Sequence, residues 1–279
     1  MEDKRIVLEL ENAILEEPAP SAFFEGLRRM DRLAFWFPET ESLIGLPQNA
    51  KYHPEGDVWV HTMQVLDEAA LLREAAAEPL GFMLSALCHD FGKTVTTNVS
   101  DDGYHAYGHE KAGLPLVRRF LRRVTKDDKL TAYVLNMTAL HMEPNQRVCN
   151  GSHIKSYMKM FDKSVCPEDL LLLAKADHLG RIGKETDRAA LAEDYADIEG
   201  TLREMLAIYR ERMSRPYVRE RELIEAGAEP GPVISEALSY VHKLRLAGIP
   251  KEEQLKQALG FIRGKKGGPG LIKNSFSAS

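Results

Sequence analysis

The stretch that constrains the fold most runs over residues 80–93 and reads LGFMLSALCHDFGK. It is apolar nearly all the way round a helix, which predicts a buried helix at the centre of the fold. His89 and Asp90 come at the end of this apolar run. Met83, Leu87 and Asp90 share one stripe of the predicted helix, so we expect the aspartate to point into the core.

Three further predicted helices also carry polar residues on apolar faces. His61 shares a stripe with Val58 and Val65 at helical spacing. His141 ends a similar stripe in LTAYVLNMTALH, and Asp177 ends one in LLLLAKADHLGR. We expect these side chains to be buried, with no lysine or arginine pointing inward among them.

Buried carboxylates require a compensating charge. A lone histidine on an apolar face is usually a hydrogen-bonded core residue, so no single histidine decides the matter. Removing an ionised aspartate from water costs several kcal/mol unless it is paired or binds a metal. Asp90 and Asp177 therefore predict a bound cation. Imidazole and carboxylate ligands without a thiolate favour Fe, Mn, Ni, Co or Zn as the bound metal. They argue against a structural zinc centre.

The adjacent pair His89–Asp90 raises a geometrical problem. Neighbouring side chains on an ideal helix point roughly 100° apart. Both residues can therefore bind one ion only near a helix end, where the backbone geometry relaxes. We expect Gly92 to provide that end.

His109 is a further candidate ligand, in the segment YHAYGHEKAG. Pro115 either kinks a helix that begins near Glu110 or leaves His109 in the loop before one. With His109 and His141 available, the site could hold a second ion, with Asp90 bridging the two. Two ions bridged in this way could trap a hydroxide and hold the oxygens of a phosphate ester.

The order of these residues resembles the signature of the HD superfamily of metal-dependent phosphohydrolases. The sequence HDFGK at 89–93 fits the HDxGK form of that family. The full H…HD…H…H…D pattern of its two-metal members is matched, in order, by His61, His89, Asp90, His109, His141 and Asp177. The resemblance implies an all-α fold, an HD-domain helical bundle with N-terminal and C-terminal helical extensions.

A closer resemblance, to bacterial tRNA nucleotidyltransferases (CCA-adding enzymes), covers most of the chain. It is carried by EEPAPSAFFEGLRRMDRLAFWFPE, LPQNAKYHPEGDVWVHTMQVLDEAA, ALCHDFGKTVTT, GHEKAG, ADHLGR and RELIEAGAEPGPVISEAL. These segments look like the HD-containing body and tail of those enzymes. In that family the HD domain implies phosphatase and 2′,3′-cyclic phosphodiesterase activity.

The sequence departs from that family at the nucleotidyltransferase head, which carries paired catalytic carboxylates on a β-sheet. We find no strand periodicity here, and Asp101 and Asp102 lie in a turn-like SDDGY. We therefore expect a chain without the head that does not add CCA.

The function predicted from these residues is hydrolysis of a phosphate ester by metal-bound hydroxide. One or two divalent ions would use the six residues named above, and Asp90 would bridge them and take part in catalysis. Lys93, as a second catalytic residue, and Arg181 are the candidates for phosphate binding. Lys93 could equally be a solvated lysine after the helix. Glu110 could orient a histidine or be an exposed residue of a first helical turn.

The predicted substrate is a nucleotide, a 2′,3′-cyclic nucleotide or an RNA 3′ end, with tRNA as a further candidate partner. Two other functions are compatible with the sequence. The same ligand pattern can hold a diiron pair that activates dioxygen, as in the inositol oxygenase relatives of the superfamily. The chain could also be an RNA-binding module that keeps the fold without turnover, although an intact ligand set argues against this.

Composition and organisation agree with a globular, cytoplasmic protein. The chain of 279 residues has 37 basic and 42 acidic side chains, and it contains no apolar run of the roughly 20 residues that span a membrane. Three cysteines without CxxC spacing favour a reducing cytosol, and the acidic N-terminus does not read as a secretory signal. We predict an N-terminal extension at 1–48, the HD domain at 49–186 and a C-terminal helical region at 187–279. The oligomeric state stays open.

Overall fold

The computed structural model describes residues 2–266, and its regular structure is almost entirely helical. The predicted all-α class is confirmed. The α-helices are Glu2–Glu16 (α1), Ser21–Arg29 (α2), Leu33–Trp36 (α3), Pro38–Glu41 (α4), Val58–Leu72 (α5), Pro79–Cys88 (α6), Lys93–Thr96 (α7), His109–Ala112 (α8), Leu114–Val124 (α9), Asp128–Leu140 (α10), Glu143–Cys149 (α11), Ile154–Lys163 (α12), Pro167–Leu179 (α13), Arg188–Ser214 (α14), Glu220–Glu225 (α15), Pro232–Leu246 (α16) and Lys251–Lys266 (α17). None of the helices described has both the length and the apolar composition needed to cross a lipid bilayer.

A short hairpin interrupts the helices between α7 and α8. Its strands, Asn98–Ser100 (β1) and Gly103–His105 (β2), are antiparallel, with Val99 opposite Tyr104. Asp101 and Asp102 form the turn, as their sequence context predicts. The strands themselves were not predicted, because three residues are too few to show an alternating pattern.

The chain divides into two compact units, Met1–Leu206 and Ala207–Ser279. In the first unit, α6 packs against α1, α5, α10 and α13. Leu84 and Leu87 of α6 have no exposed surface. The apolar run therefore forms the central helix, as its composition predicts.

Local signals explain where the helices of the first unit begin and end. Asp57 caps α5 by accepting a hydrogen bond from the amide of Val60 at 2.9 Å. Helix α6 begins with Pro79 at its first position and ends at Cys88, so that the His–Asp pair lies in the turn beyond it. The prediction that Gly92 ends this helix is wrong, because Gly92 precedes α7 with an ordinary φ of −67°.

Gly92 is instead required by a close backbone approach. A Cβ atom at this position would lie 2.0 Å from the carbonyl oxygen of His109 and 2.7 Å from the amide nitrogen of Gly113. Only glycine allows the turn after α6 to pass this close to α8. This approach brings His109 towards Asp90.

The second unit has its own apolar core, built from α15, α16, α17 and the loop before α15. Its fully or nearly buried members are Val218, Leu223, Ala228, Ile234, Ala237, Val241, Ala258 and Ile262. The buried side chain of Gln254 accepts a hydrogen bond from the amide of Val218 at 3.3 Å and donates one to the carbonyl of Ile249 at 2.7 Å. None of the predicted ligands lies in this second unit.

Candidate metal centre

Six predicted ligand residues converge at one place in the first unit, and none of these residues is more than 6% exposed. They lie at the start of α5 and α8 and at or just beyond the ends of α6, α10 and α13. These residues are His61, His89, Asp90, His109, His141 and Asp177.

The first group of ligands consists of His61, His89, Asp90 and Asp177. The Nε2 atoms of His61 and His89 are 3.4 Å apart. Asp90 Oδ2 lies 3.3 Å from His89 Nε2 and 3.7 Å from His61 Nε2. Asp177 Oδ1 lies 3.1 Å from His61 Nε2. The imidazoles of His61 and His89 and the carboxylate of Asp90 therefore face one small volume, and Asp177 lies beside it in contact with His61.

The second group consists of Asp90, His109 and His141. The Nε2 atoms of the two histidines are 3.2 Å apart. The other oxygen of Asp90, Oδ1, lies 3.2 Å from His109 Nε2 and 3.9 Å from His141 Nε2. Asp90 thus connects the two groups, one oxygen to each.

Three of the four histidines are oriented in the same way. The Nδ1 atoms of His89, His109 and His141 lie 2.7–2.8 Å from the carbonyl oxygens three residues earlier in the chain. Because a carbonyl can only accept a hydrogen bond, each Nδ1 carries the proton. The neutral form of each ring then presents the lone pair of Nε2 to the site.

The close Nε2 pairs test whether a cation fits this cluster. Two imidazole nitrogens whose lone pairs face each other at 3.2–3.4 Å repel, and a proton or a metal cation between them removes that repulsion. Burial works to lower the pKa of His61, but Asp177 and Glu55 outweigh it and raise that pKa. The cluster therefore gathers positive charge. Imidazole nitrogens and carboxylate oxygens suit a divalent transition metal, so the buried groups could bind one.

The carboxylates and His141 are in the protonation states that metal ligation requires. Burial works to raise the pKa of Asp90, but the neighbouring His89, Lys93 and His109 together hold it well below its usual value. Burial also works to raise the pKa of Asp177, but Arg181, His61 and His89 together outweigh it and keep the pKa of that carboxyl low. Burial lowers the pKa of His141 to about 3, so that this ring is neutral at physiological pH.

Lys93 corrects one expectation from the sequence, that no lysine or arginine points inward. Its Nζ lies 2.6 Å from Asp90 Oδ2 and donates a hydrogen bond to Gln48 Oε1 at 2.6 Å. The short helix α7 turns the chain back, so that residue 93 meets residue 90 across one helical turn. Lys93 offsets one of the buried negative charges, and the case for a cation therefore depends on the Nε2 pairs.

Arg181 lies at the edge of the same cluster. Its Nη2 atom is 3.5 Å from Asp177 Oδ2, and about a quarter of its side chain is exposed. Its Nε is buried and has no hydrogen-bond partner among the residues described. A guanidinium in this position has donors left for a further anion.

Sequence reasoning missed Glu55. Its side chain is fully buried, and Oε1 lies 2.8 Å from both His53 Nδ1 and His61 Nδ1. Burial works to raise the pKa of Glu55, but its interactions with the two histidines lower it to about 2. Glu55, and not Glu110, is the carboxylate behind a site histidine. It lies in an irregular loop between Pro54 and Gly56, where no periodic pattern could identify it.

Searches of known proteins find relatives that share a name. The chain is 37% identical over 191 residues to a multifunctional CCA protein of Pasteurella multocida, covering 65% of this chain and 44% of the relative. It is 30% identical over 228 residues to the multifunctional CCA protein of Actinobacillus pleuropneumoniae serotype 5b, covering 78% and 54%. It is 32% identical over 187 residues to that of Shewanella frigidimarina, covering 64% and 43%.

These matches confirm the resemblance to the CCA-adding enzymes that the sequence predicts. The chain spans about half the length of the curated relatives it matches. No family model matches the chain, so the HD superfamily assignment stays a prediction.

Proposed function

We propose, starting from the similarity to multifunctional CCA proteins, that this chain is a metal-dependent phosphohydrolase. It would hydrolyse a phosphate ester of a nucleotide, of a 2′,3′-cyclic nucleotide or of an RNA 3′ end. The observation that carries the proposal is the pair of close Nε2 contacts, 3.4 Å and 3.2 Å, joined by the two oxygens of Asp90. The resemblance to CCA-adding enzymes supports RNA ends and nucleotides as the substrate class, and tRNA as a partner.

The residues that would hold the metal form the two groups described above. The first would take one divalent ion (Fe, Mn, Ni, Co or Zn), and the second could take another. Such ions, when bound, lower the pKa of water and offset the negative charge of phosphoryl oxygens. Asp90 belongs to both groups and would fix the position of one ligand set relative to the other.

Lys93 and Arg181 would bind the phosphate. Both lie beside a carboxylate of the cluster, Lys93 at Asp90 and Arg181 at Asp177. A lysine supplies a point charge, whereas a guanidinium can donate two parallel hydrogen bonds to phosphoryl oxygens. Together they would orient the ester against the cluster and favour negatively charged substrates over neutral ones.

The experiment combines metal analysis with a substrate panel. Purified protein is analysed for bound metals and assayed against 2′,3′-cyclic nucleotides, mononucleotides and dinucleoside polyphosphates. We expect Asp90→Asn to lose bound metal and hydrolysis together, because both ligand groups need this carboxylate.

Asp169→Asn is the matched control, since Asp169 is also fully buried but lies outside the cluster. It accepts hydrogen bonds from the amides of Ala77 and Glu78 and from the hydroxyl of Tyr133. This variant should lose stability yet retain metal. Full metal content and turnover in Asp90→Asn would contradict the proposal. Dioxygen uptake without hydrolysis, or RNA binding without turnover, would indicate one of the two other functions instead.

A further inference from the structure

The four histidines of the cluster are not held in the same way. Three direct their Nδ1 hydrogens to backbone carbonyls. Nδ1 of His61 instead lies 2.8 Å from Oε1 of the Glu55 carboxylate, an ion-pair contact without the geometry of a hydrogen bond. A carbonyl carries only a partial charge, and an ionised carboxylate carries a full one. The partner of His61 therefore differs from the partners of the other three in charge as well as in position.

Among the six proposed ligands, His61 is the one that Glu55 contacts. Its side chain has no exposed surface, and one oxygen, Oε1, serves both His53 and His61. The other oxygen, Oε2, is buried and has no hydrogen-bond partner among the residues described. The three other cluster histidines have carbonyl partners, so no carboxylate is needed to orient them.

A carboxylate behind an imidazole has a known physical effect on a metal ligand. It fixes the tautomer and the ring orientation, and it makes the opposite nitrogen more basic. A cation held at Nε2 of His61 would also offset the buried charge of Glu55 across the ring. Both effects act on the first group, because His61 belongs to that group and not to the second.

We infer that Glu55 is a positioning residue that makes the first group bind a divalent cation more tightly than the second. This inference rests on the proposed metal site, but not on the proposed hydrolysis. The two ligand groups are then unequal, with one ion retained at low metal concentration and the other bound only as the concentration rises. The carboxylates add to this inequality, since the first group has Asp177 in addition to Asp90.

Titration of the metal-stripped, full-length protein with Co²⁺ tests the inference. Calorimetry gives the dissociation constants, and the visible absorption of the ion reports the ligands around it. Wild-type protein should show a tight and a weaker binding event. Glu55→Ala should weaken the tight event roughly 10- to 100-fold and leave the weaker one unchanged. Glu55→Gln keeps an acceptor oxygen without the charge, so its loss should be smaller.

Glu39→Gln is the matched control, because Glu39 is also a buried glutamate of the first unit, ion-paired with Arg119 and Arg123. It should unfold more easily in the metal-free state while keeping both dissociation constants. Urea unfolding of each metal-free variant separates a loss of stability from a loss of affinity. If Glu55 had only a structural role, Glu55→Ala would behave like Glu39→Gln: it would unfold more easily and keep both dissociation constants.

Each further outcome has a definite meaning. If Glu55→Ala binds Co²⁺ as tightly as wild-type protein, the inference is wrong and the proposed function stands. If wild-type protein shows graded binding that depends on Glu55 but hydrolyses no phosphoester, the inference stands and the proposed activity falls. If wild-type protein binds no divalent ion, both are wrong.

Discussion

Lys93 is held between two partners, the carboxylate of Asp90 and the amide oxygen of Gln48. Its side chain is only 9% exposed, so this is not a solvated lysine of the surface. An ammonium group on a flexible stem can exchange one anionic oxygen for another at little geometrical cost. Lys93 is therefore suited to bind a phosphoryl oxygen without being a metal ligand.

Replacing Lys93 with alanine should separate metal binding from turnover. We expect bound metal to be retained and turnover to fall roughly 100-fold, the usual cost of removing one donor to a developing negative charge. Metal analysis and steady-state kinetics on the same preparation measure both. Lys111→Ala, at an exposed lysine of α8, is the control and should change neither. Loss of metal along with activity would refute the role given to Lys93.

Glu39 shows a second way of burying a carboxylate, with arginine side chains instead of a metal ion. Its side chain is 2% exposed and lies between Arg119 and Arg123 of α9. Burial works to raise the pKa of Glu39, but hydrogen bonds from Arg123 and Arg119 outweigh it, and the pKa falls below its ordinary value of 4.5. The folded protein therefore favours the ionised over the protonated form of Glu39 more strongly than the unfolded chain does.

The stability contributed by Glu39 should depend on pH. Because the folded pKa is lowered, the contribution is complete above about pH 4.5 and is lost as pH falls through the folded pKa. Glu39→Gln should cost roughly 2 kcal/mol at neutral pH, and wild type and variant should converge in acid. Urea unfolding from pH 7 to pH 3 measures this. A difference that stays constant over that range would contradict it.

Individual residues differ in how far the sequence could predict them. Asp90 and Asp177 stand at helical spacing from leucines, and an acid on an apolar stripe is conspicuous. Lys93 could not be placed, because its direction depends on the turn after α6. Glu55 lies in a loop, where the path of the backbone is set by tertiary contacts that no local pattern encodes.

At the scale of helices, the approach of α13 to α5 decides the geometry of the first ligand group. It depends on Gly180, directly after α13, where a Cβ atom would lie 2.5 Å from the side chain and 2.9 Å from the amide nitrogen of Val65. The contact between Asp177 and His61 lies within a turn of this point on each helix. A larger side chain between the two helices would therefore displace Asp177 relative to His61.

Gly180→Ala should separate α13 from α5 and weaken metal binding. We expect a cost of about 1–3 kcal/mol in unfolding free energy from overpacking, together with a higher Co²⁺ dissociation constant. Gly200→Ala in α14 is the control, because nothing lies near its Cβ position and it should stabilise slightly. The double variant with Val65→Ala should restore part of both losses. Unchanged stability and affinity in Gly180→Ala would contradict this account.

Elements with strong periodicity were predictable, and those defined by turns were not. The apolar run of α6 and the stripes of α5, α10 and α13 follow directly from the sequence. The sequence left open whether Pro115 kinks one helix or leaves His109 in a loop. The structure has two separate helices, because His109 begins α8 and Pro115 lies in the first turn of α9. The role of Gly92 was not predictable, because it arises from contact with a segment some seventeen residues away.

In the whole molecule, all six ligands belong to the unit Met1–Leu206. Buried side chains of α1, among them Leu10 and Ile14, belong to this unit too, and α1 packs against α6. The predicted boundaries at 48/49 and 186/187 stay predictions. The long helix α14 begins just after the second of them, at Arg188.

The central claim is that the cluster holds a divalent cation, and anomalous X-ray scattering from crystals grown with Mn²⁺ or Zn²⁺ tests it most directly. The account predicts a peak at about 2.0–2.3 Å from the Nε2 atoms of His61 and His89, in contact with Asp90. At higher metal concentration a second peak should follow beside His109 and His141. Metal peaks confined to surface residues, with the cluster empty, would contradict the account.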